Sequence, residues 1–373
     1  MKFFFYLVDK RIFFMILFNR LRNRLRNRFS QNGECMSHPT MQDVAERAKV
    51  SKATVSHVIN NTRFVEESTR ERVNQAIKEL GFRPSAVARG LATQQTHTIG
   101  ILISEQSNIF FSEIIEGIEE VFLPENYGLM VCSTAEILER EAHYLDLLLS
   151  QRVDGIIAAA TSQYWRAIFE AEKLHTPIVF LDRAFEELEG CFVGTNNKEG
   201  AYQGIKHLIS NGHHKIGILS GFDRLSTMRE RFDGYLQALE EASILVNQDW
   251  IIPSELSVAA GREAFRKLMS QEDQPSAVFS NNNLVSLGAL IEMKELCLRC
   301  PDDVALVGFD DHPWAAVSDP PLTVIKQPSH QIGKIAANML LSLIREEPIA
   351  KCKVLLDCEL IVRESSVARS DCP

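Results

Sequence analysis

Residues 40–60 read Thr-Met-Gln-Asp-Val-Ala-Glu-Arg-Ala-Lys-Val-Ser-Lys-Ala-Thr-Val-Ser-His-Val-Ile-Asn. Thr40 offers an N-cap hydroxyl and Asp43 a carboxylate three residues on, the pattern of a capping box that opens a helix over Met41–Ala48. Val44, Ala45 and Ala48 share one face of it, and the small Ala45 lets a second helix approach closely. A two-residue turn, Lys49-Val50, leads to Ser51, a good N-cap for a second helix over 51–60, whose buried stripe is Val55, Val58 and Ile59. Two short helices joined by a tight turn predict a helix-turn-helix. A third helix is expected to open on a capping box at Ser68-Thr-Arg-Glu71, to carry Val73, Ala76, Ile77 and Leu80 inward, and to stop at Gly81. Lys49 occupies a turn position that favours glycine or asparagine, so a positive φ there would strain it by about 1 kcal/mol.

The outward face of the second helix is short and polar: Lys52, Ala53, Thr54, Ser56 and His57. Side chains of this kind can enter a major groove and meet base edges and phosphates. Thr40, Ser51, Asn60 and Arg63 complete the candidate DNA-facing set, with Arg70 and Arg72 placed to flank phosphates. The net charge of −9 looks wrong for a DNA binder until its distribution is considered. Residues 1–35 carry eight Lys/Arg against two Asp/Glu and residues 36–96 nine against six, so the acidic excess lies wholly beyond residue 96. Phosphate repels such a body, and DNA contact falls to the head. Residues 1–39 are read as an N-terminal extension that is disordered, or precedes a true start at Met36, or is a basic arm for DNA or another anionic surface. Their order, apolar before basic, is the reverse of a signal peptide.

Residues 83–92 read Arg-Pro-Ser-Ala-Val-Ala-Arg-Gly-Leu-Ala, a helix start too short to be stable alone. With this segment, residues 41–92 resemble the head of the lactose/galactose repressor family. The stretches Thr54-Val-Ser-His-Val-Ile-Asn60, Thr62-Arg-Phe-Val65 and Pro84-Ser-Ala-Val-Ala-Arg89 are especially similar to purine and ribose repressors, and the resemblance runs over about nine-tenths of the chain. It implies a hinge helix within 83–96 that folds on operator DNA, with Ser85 and Ala88 at the DNA. Leu91 would be the wedge that pries open a base step in the minor groove, offsetting a few kcal/mol of unstacking.

Beyond residue 97, apolar runs at 99–103, 129–132, 155–159, 178–181, 216–219, 277–279 and 304–307 alternate with helical patterns at 111–122, 139–149, 198–209, 229–239, 260–268 and 284–296. Alternating strands and helices predict parallel sheets covered on both faces. The strands are too many for one lobe and restart near Lys215. The fold class is therefore an all-α helix-turn-helix head (40–82) followed by an α/β body (97–365) of two doubly wound lobes. The lobes are placed at about 97–197 with 330–357, and about 198–329 with 358–365, followed by a tail, 366–373. Ligands of such folds sit at the carboxyl ends of strands. No GxG pair, GxxxxGK, HExxH or GxSxG occurs, so a dinucleotide, Walker-type, zincin or hydrolase site is not expected. Neither cofactor nor metal is expected. The eight cysteines include a single CxxC, Cys297 and Cys300, and read as free thiols of a reducing cytoplasm. No uninterrupted apolar run reaches membrane-spanning length, and no membrane partner is expected.

Candidate effector-binding residues follow strand ends. Phe110 and Phe111 lie in the loop after the first strand. Asp182-Arg183 ends another, where an arginine fork suits hydroxyls or carboxylates. Asn196 and Asn197 mark a lobe crossover. Asp310, in Gly-Phe-Asp-Asp, closes the strand-end list, and the resemblance implies that Arg229 grips the effector, with Arg231 as the alternative. It also exposes two departures. Asn283 replaces a ligand-holding carboxylate, so a group that donates and accepts stands where one only accepts. Leu256 stands where an aromatic platform is usual, which removes a stacking partner. The expectation is a cytoplasmic, non-enzymatic repressor that binds a near-palindromic operator in double-stranded DNA as a homodimer. A small-molecule effector (sugar, nucleoside or purine-like) would set its affinity. The alternative is a receptor of the periplasmic-binding-protein type without significant DNA activity. The tail carries no leucine heptad, which favours a dimer over a tetramer.

Overall fold

The computed structural model describes residues 39–60, 62–83, 95–106, 108–161, 176–183, 190–220 and 225–367. The chain divides into two compact units, residues 1–89 and 90–373. Ser85, Ala88 and Leu91 of the expected hinge lie outside the described residues.

Among the described residues the first unit holds three helices: α1 (Met41–Ala48), α2 (Lys52–Asn60) and α3 (Glu67–Leu80). Val44, Ala45, Ala48, Val55, Val58, Val73, Ala76 and Phe82 form its core. The capping box at Thr40 is present in both directions: the Asp43 N–H donates to the Thr40 hydroxyl, and the Asp43 carboxylate accepts from the Thr40 N–H. Those bonds hold the Asp43 carboxyl below its usual range. Ser51 caps α2 by accepting from the Thr54 N–H at 3.1 Å. The third helix departs from expectation. It begins at Glu67, with Glu66 as the cap residue and no side-chain cap bond. Ser68 is already inside the first turn, so its hydroxyl has no end to cap. Gly81 closes α3 in the left-handed region, as expected.

Lys49 does adopt the left-handed region, with φ 56° and ψ 48°, and its N–H closes α1 on the Ala45 and Glu46 carbonyls. A Cβ-bearing residue costs about 1 kcal/mol there. Lys49→Gly is therefore expected to stabilise the head by up to about 1 kcal/mol, read as a higher midpoint in thermal or urea unfolding of the full chain. An unchanged or lower midpoint would show that the turn carries no strain.

Among the described residues the second unit contains two six-stranded sheets. Its elements are β1 (Thr98–Ile103), α4 (Ile109–Phe122), β2 (Gly128–Ser133), α5 (Leu138–Ser150), β3 (Gly155–Ala158), β4 (Ile178–Leu181), β5 (Cys191–Thr195), α6 (Asn197–Ser210), β6 (Ile216–Ser220), α7 (Ser226–Glu241), β7 (Ile251–Pro253), α8 (Val258–Met269), β8 (Ala277–Ser280), α9 (Asn283–Glu295), β9 (Ala305–Phe309), β10 (Thr323–Lys326), α10 (Ser329–Ile344), β11 (Lys353–Leu356) and β12 (Glu359–Ile361). The first sheet runs β11-β5-β4-β3-β1-β2 and the second β12-β10-β9-β8-β6-β7. All pairings are parallel except β10–β12. In each sheet the strand order reverses beside a central strand, at β1/β3 and at β6/β8. Such a switch point opens a crevice at the carboxyl ends. The expected α/β class and its seven strands are observed. The short β5, β7, β10, β11 and β12, and the helix α10, were not read from sequence.

Both faces of each sheet are covered. Helices α4 and α10 pack one face of the first sheet through Phe111, Ile114, Ile118, Ile332, Ala336 and Leu340, and α5 packs the other through Leu145 and Leu148. In the second sheet α8 and α9 cover one face and α6 and α7 the other. The chain passes between the lobes between β5 and α6, between β10 and α10, and between β11 and β12. No described helix is long and apolar enough to cross a membrane.

Candidate functional site

Between the lobes lies a cavity of about 390 Å³, and almost every residue lining it follows the carboxyl end of a parallel strand. Ser104 and Glu105 follow β1, Ala135 and Glu136 follow β2, and Asp182 and Arg183 follow β4. From the second lobe, Leu225, Thr227, Met228 and Arg231 follow β6, Glu255 and Leu256 follow β7, Asn282 follows β8 and Asp310 follows β9. Gln327 enters from the crossing after β10. The site is thus assembled by topology: parallel strands aim their following loops the same way, and the lobes face each other across those loops.

The backbone is strained where it reaches in. Ala135, Glu136, Asp182 and Asp310 all have positive φ, at 51°, 59°, 66° and 75°. Such strain persists when surrounding structure over-determines it, and it concentrates at ligand clamps.

Arg183 is buried, ion-paired with Glu136 and 3.4 Å from Asp182. Its Nε and Nη1 have no hydrogen-bond partner among the described residues. Burial pushes the Asp182 carboxyl above its usual range, against the pull of Arg183 and Arg231. Arg231 is 2% exposed. Its Nε donates to Asn197 Oδ1 at 2.9 Å, its Nη1 donates to the Asn281 carbonyl at 2.6 Å, and its guanidinium lies 3.6 Å above the Phe309 ring. Gln327 links the lobe crossings: it accepts from the Thr195 hydroxyl and donates to Asp310 Oδ1, both at 2.6 Å. Unpartnered buried donors and acceptors cost free energy until something fills their valences. Here they are Arg183 in the cavity wall, both amide atoms of Asn281, and Asn283 Oδ1. Of these only Arg183 lines the cavity, so its guanidinium is the unfilled donor that a ligand with acceptor oxygens would meet there.

On the first unit, Lys52, Ala53, Asn60 and Arg63 are exposed along or just after α2, and Thr40 and Ser51 at the helix starts. Thr54, Ser56 and His57 are half-buried. His57 Nδ1 is 2.8 Å from the Thr62 hydroxyl, and Asn60 donates to the Ser56 hydroxyl at 3.3 Å, so both rims of the helix are oriented. A polar helix face following a tight turn is a shape that a major groove admits.

Residues 40–85 match the family model of bacterial regulatory proteins, lacI family, and residues 205–366 that of a periplasmic binding protein-like domain. Over 327 residues the chain is 37% identical to the HTH-type transcriptional repressor PurR of Aliivibrio salmonicida (strain LFI1238), covering 87% of this chain and 98% of that protein. The chain belongs to the lacI family. Among solved structures it is similar to the lac repressor dimer bound to operator and the anti-inducer ONPF, with a TM-score of 0.81 and 28% identity, covering 89% of this chain and all of that one. It is also similar to the transcriptional regulator CelR in complex with cellobiose, with a TM-score of 0.67 and 28% identity, covering 88% and 99%. This lacI-family member is a transcriptional repressor by descent and by architecture.

Of the residues singled out in sequence, Phe110, Phe111, Asp182, Arg183, Leu256 and Asp310 line the cavity. Four others, Asn196, Asn197, Arg229 and Asn283, do not. Arg229 is exposed on α7, whereas Arg231, two residues on, is buried in the wall. The arginine of the cavity is therefore Arg231, because the helix turns Arg229 outward. Asn196 uses its side chain to cap α6, accepting from the Glu199 N–H at 3.2 Å, while its backbone N–H donates to the Leu356 carbonyl at a lobe crossing. Asn283 is buried at the start of α9, and its Nδ2 donates to Asn108 Oδ1 of the other lobe at 3.0 Å. It is a bond across the cleft, not part of the cavity wall.

Glu136, Glu255 and Gln327 were missed in sequence. The strand-end rule that found Asp182 also applies to them, but β7 and β10 were not recognised as strands, and Glu136 lies three residues beyond β2.

Proposed function

We propose that the chain is a cytoplasmic repressor that binds a near-palindromic operator as a homodimer and whose DNA affinity is set by a small molecule in the interlobe cavity. The reading rests on one observation above others: the cavity wall is drawn from both lobes, so a ligand that fills it couples their relative position. A ligand changes DNA affinity only through such differential binding, at about 1.4 kcal/mol for a tenfold effect, and DNA changes ligand affinity by the same factor.

The chemistry of the wall favours a neutral, hydroxyl-rich ligand such as a sugar or nucleoside. Glu105, Glu136, Asp182, Glu255 and Asp310 outnumber Arg183 and Arg231, which disfavours a phosphorylated ligand. Phe110 and Phe111 are packed edge-to-face on each other and buried, and Leu256 offers no stacking face, so a bare purine gains little from aromatic contact. The protein acts by binding; it is a sensor that transforms nothing and needs no cofactor.

Fluorescence anisotropy on operator duplexes from the promoter of its own gene tests this. Affinity should fall steeply between about 50 and 200 mM salt, with a log–log slope near −0.9 for each phosphate neutralised. Lys52→Ala should weaken specific binding about tenfold and reduce that slope by about one. A thermal-shift screen of sugars, nucleosides and purines should yield a stabilising ligand that also shifts the DNA midpoint. Equal affinity for scrambled duplexes with a flat salt response would refute the repressor reading.

A further inference from the structure

Cys191 opens β5 and Cys352 directly precedes β11. The register Phe192↔Lys353 places the two cysteines opposite each other on neighbouring parallel strands. Their sulfurs are 2.9 Å apart, although 161 residues separate them in sequence, and the Phe192 N–H donates to the Cys352 carbonyl at 2.6 Å. Opposed residues on adjacent strands lie about 4.8 Å apart, within the span of roughly 4.4–6.8 Å between Cα atoms that a disulfide bridges. Both thiols are free. We propose that Cys191 and Cys352 form an oxidation site, closing reversibly into an intramolecular disulfide when the chain meets a peroxide.

The two thiols are unequal. Cys352 is exposed, between the exposed Lys351 and Lys353, and Cys191 is buried. Burial and the adjacent Cys352 sulfur push the Cys191 thiol up to about 12. The accessible sulfur therefore meets the oxidant first. Cys352 Sγ attacks one peroxide oxygen; the O–O bond breaks, the second oxygen leaves with the thiol proton as water, and Cys352 becomes a sulfenic acid. Cys191 Sγ then attacks Cys352 Sγ. The S–S bond forms, the S–O bond breaks, and hydroxide takes the Cys191 proton as a second water. Two thiols lose two electrons in all, and one peroxide is reduced to two waters. The bond lies at the amino ends of β5 and β11, opposite the ends that face the cavity. It would tie the edge strand of the first lobe to the sheet and leave the ligand site open.

The full chain is treated with a few equivalents of hydrogen peroxide, quenched in acid, and alkylated under denaturing conditions. The expected product has lost two hydrogens and two alkylatable thiols, gives a peptide joining Cys191 to Cys352, and reverts with dithiothreitol. Its unfolding midpoint rises by roughly 5–10 °C, because the bond closes a long loop in the unfolded chain. Cys352→Ser abolishes both the cross-link and the rise. Cys191→Ser leaves Cys352 as a sulfenic acid that dimedone captures. Full alkylation after peroxide, a link through any other cysteine, a link between two chains, or direct passage to sulfinic acid would each overturn the proposal. Should Cys191→Ser fold poorly, the peptide map and Cys352→Ser decide alone.

Discussion

Arg231→Ala removes the ligand response and costs the body about 3–5 kcal/mol, the range for deleting one partner from a buried charged network. The guanidinium holds Asn197 at a lobe crossing, the Asn281 carbonyl after β8, and the face of Phe309. It also moderates the burial of Asp182 and Glu230, whose carboxyls are both pushed above their usual range. Alanine leaves two acceptors unmet and two carboxylates less compensated at once. Arg231→Lys separates charge from geometry: lysine keeps the charge but cannot reach Asn197 and Asn281 together, so it restores part of the stability and little of the ligand affinity. Arg229→Ala is the control. It is exposed and should change stability by less than about 0.5 kcal/mol. Urea unfolding and calorimetric titration with the ligand found by screening measure both. If Arg229→Ala abolishes ligand binding while Arg231→Ala leaves it intact, the assignment of the cavity arginine is wrong.

The other large effect is expected at a helix crossing. A Cβ on Gly333 would stand 2.0 Å from the Ile114 carbonyl oxygen, and one on Gly117 2.1 Å from that of His330. Helices α4 and α10 therefore touch backbone to backbone, and both positions must be glycine for the pair to close on the first sheet. Gly333→Ala forces the helices apart over the Ile114, Ile332 and Ala336 core and should cost about 3 kcal/mol or more, the upper end for overpacking. Gly128→Ala is the matched control, since its nearest neighbour would be 3.9 Å away. A loss below about 1 kcal/mol at Gly333 in urea unfolding would show that the helices slide apart easily. The same device recurs in the second lobe. Gly234 of α7 faces the Lys198 carbonyl of α6, and Gly288 of α9 faces the Val258 carbonyl of α8. The three described helix pairs that cover a sheet face, α4 with α10, α6 with α7 and α8 with α9, are thus each joined through at least one glycine.

Much of this is legible in the sequence. The capping box at Thr40, the cap at Ser51 and the stop at Gly81 are short-range hydrogen-bond devices, and local sequence specifies them almost completely. Lys49 was readable as a strained turn for the same reason. Alternating apolar runs and helical patterns gave the parallel α/β body, because strands buried on both faces have to be apolar throughout. The strand-end rule also singles out Asp182, Arg183 and Asp310, which line the cavity.

Tertiary structure decided what depends on distant partners. Residues two apart on a helix point about 200° apart, so Arg229 and Arg231 cannot share a role. Yet α7 is polar on both flanks, and only its packing on α6 shows which arginine turns inward. Strands β7 and β12, three residues each, exist because neighbours complete their ladders, and no local pattern announces them. The bond from Asn283 to Asn108 and the meeting of Cys191 with Cys352 join residues 175 and 161 apart. By itself the sequence determined a helix-turn-helix head and a two-lobed sensor, through caps and periodicity that act over a few residues. The tertiary structure alone determined which side chains converge in the cleft, because convergence is set by the docking of two separately closed sheets.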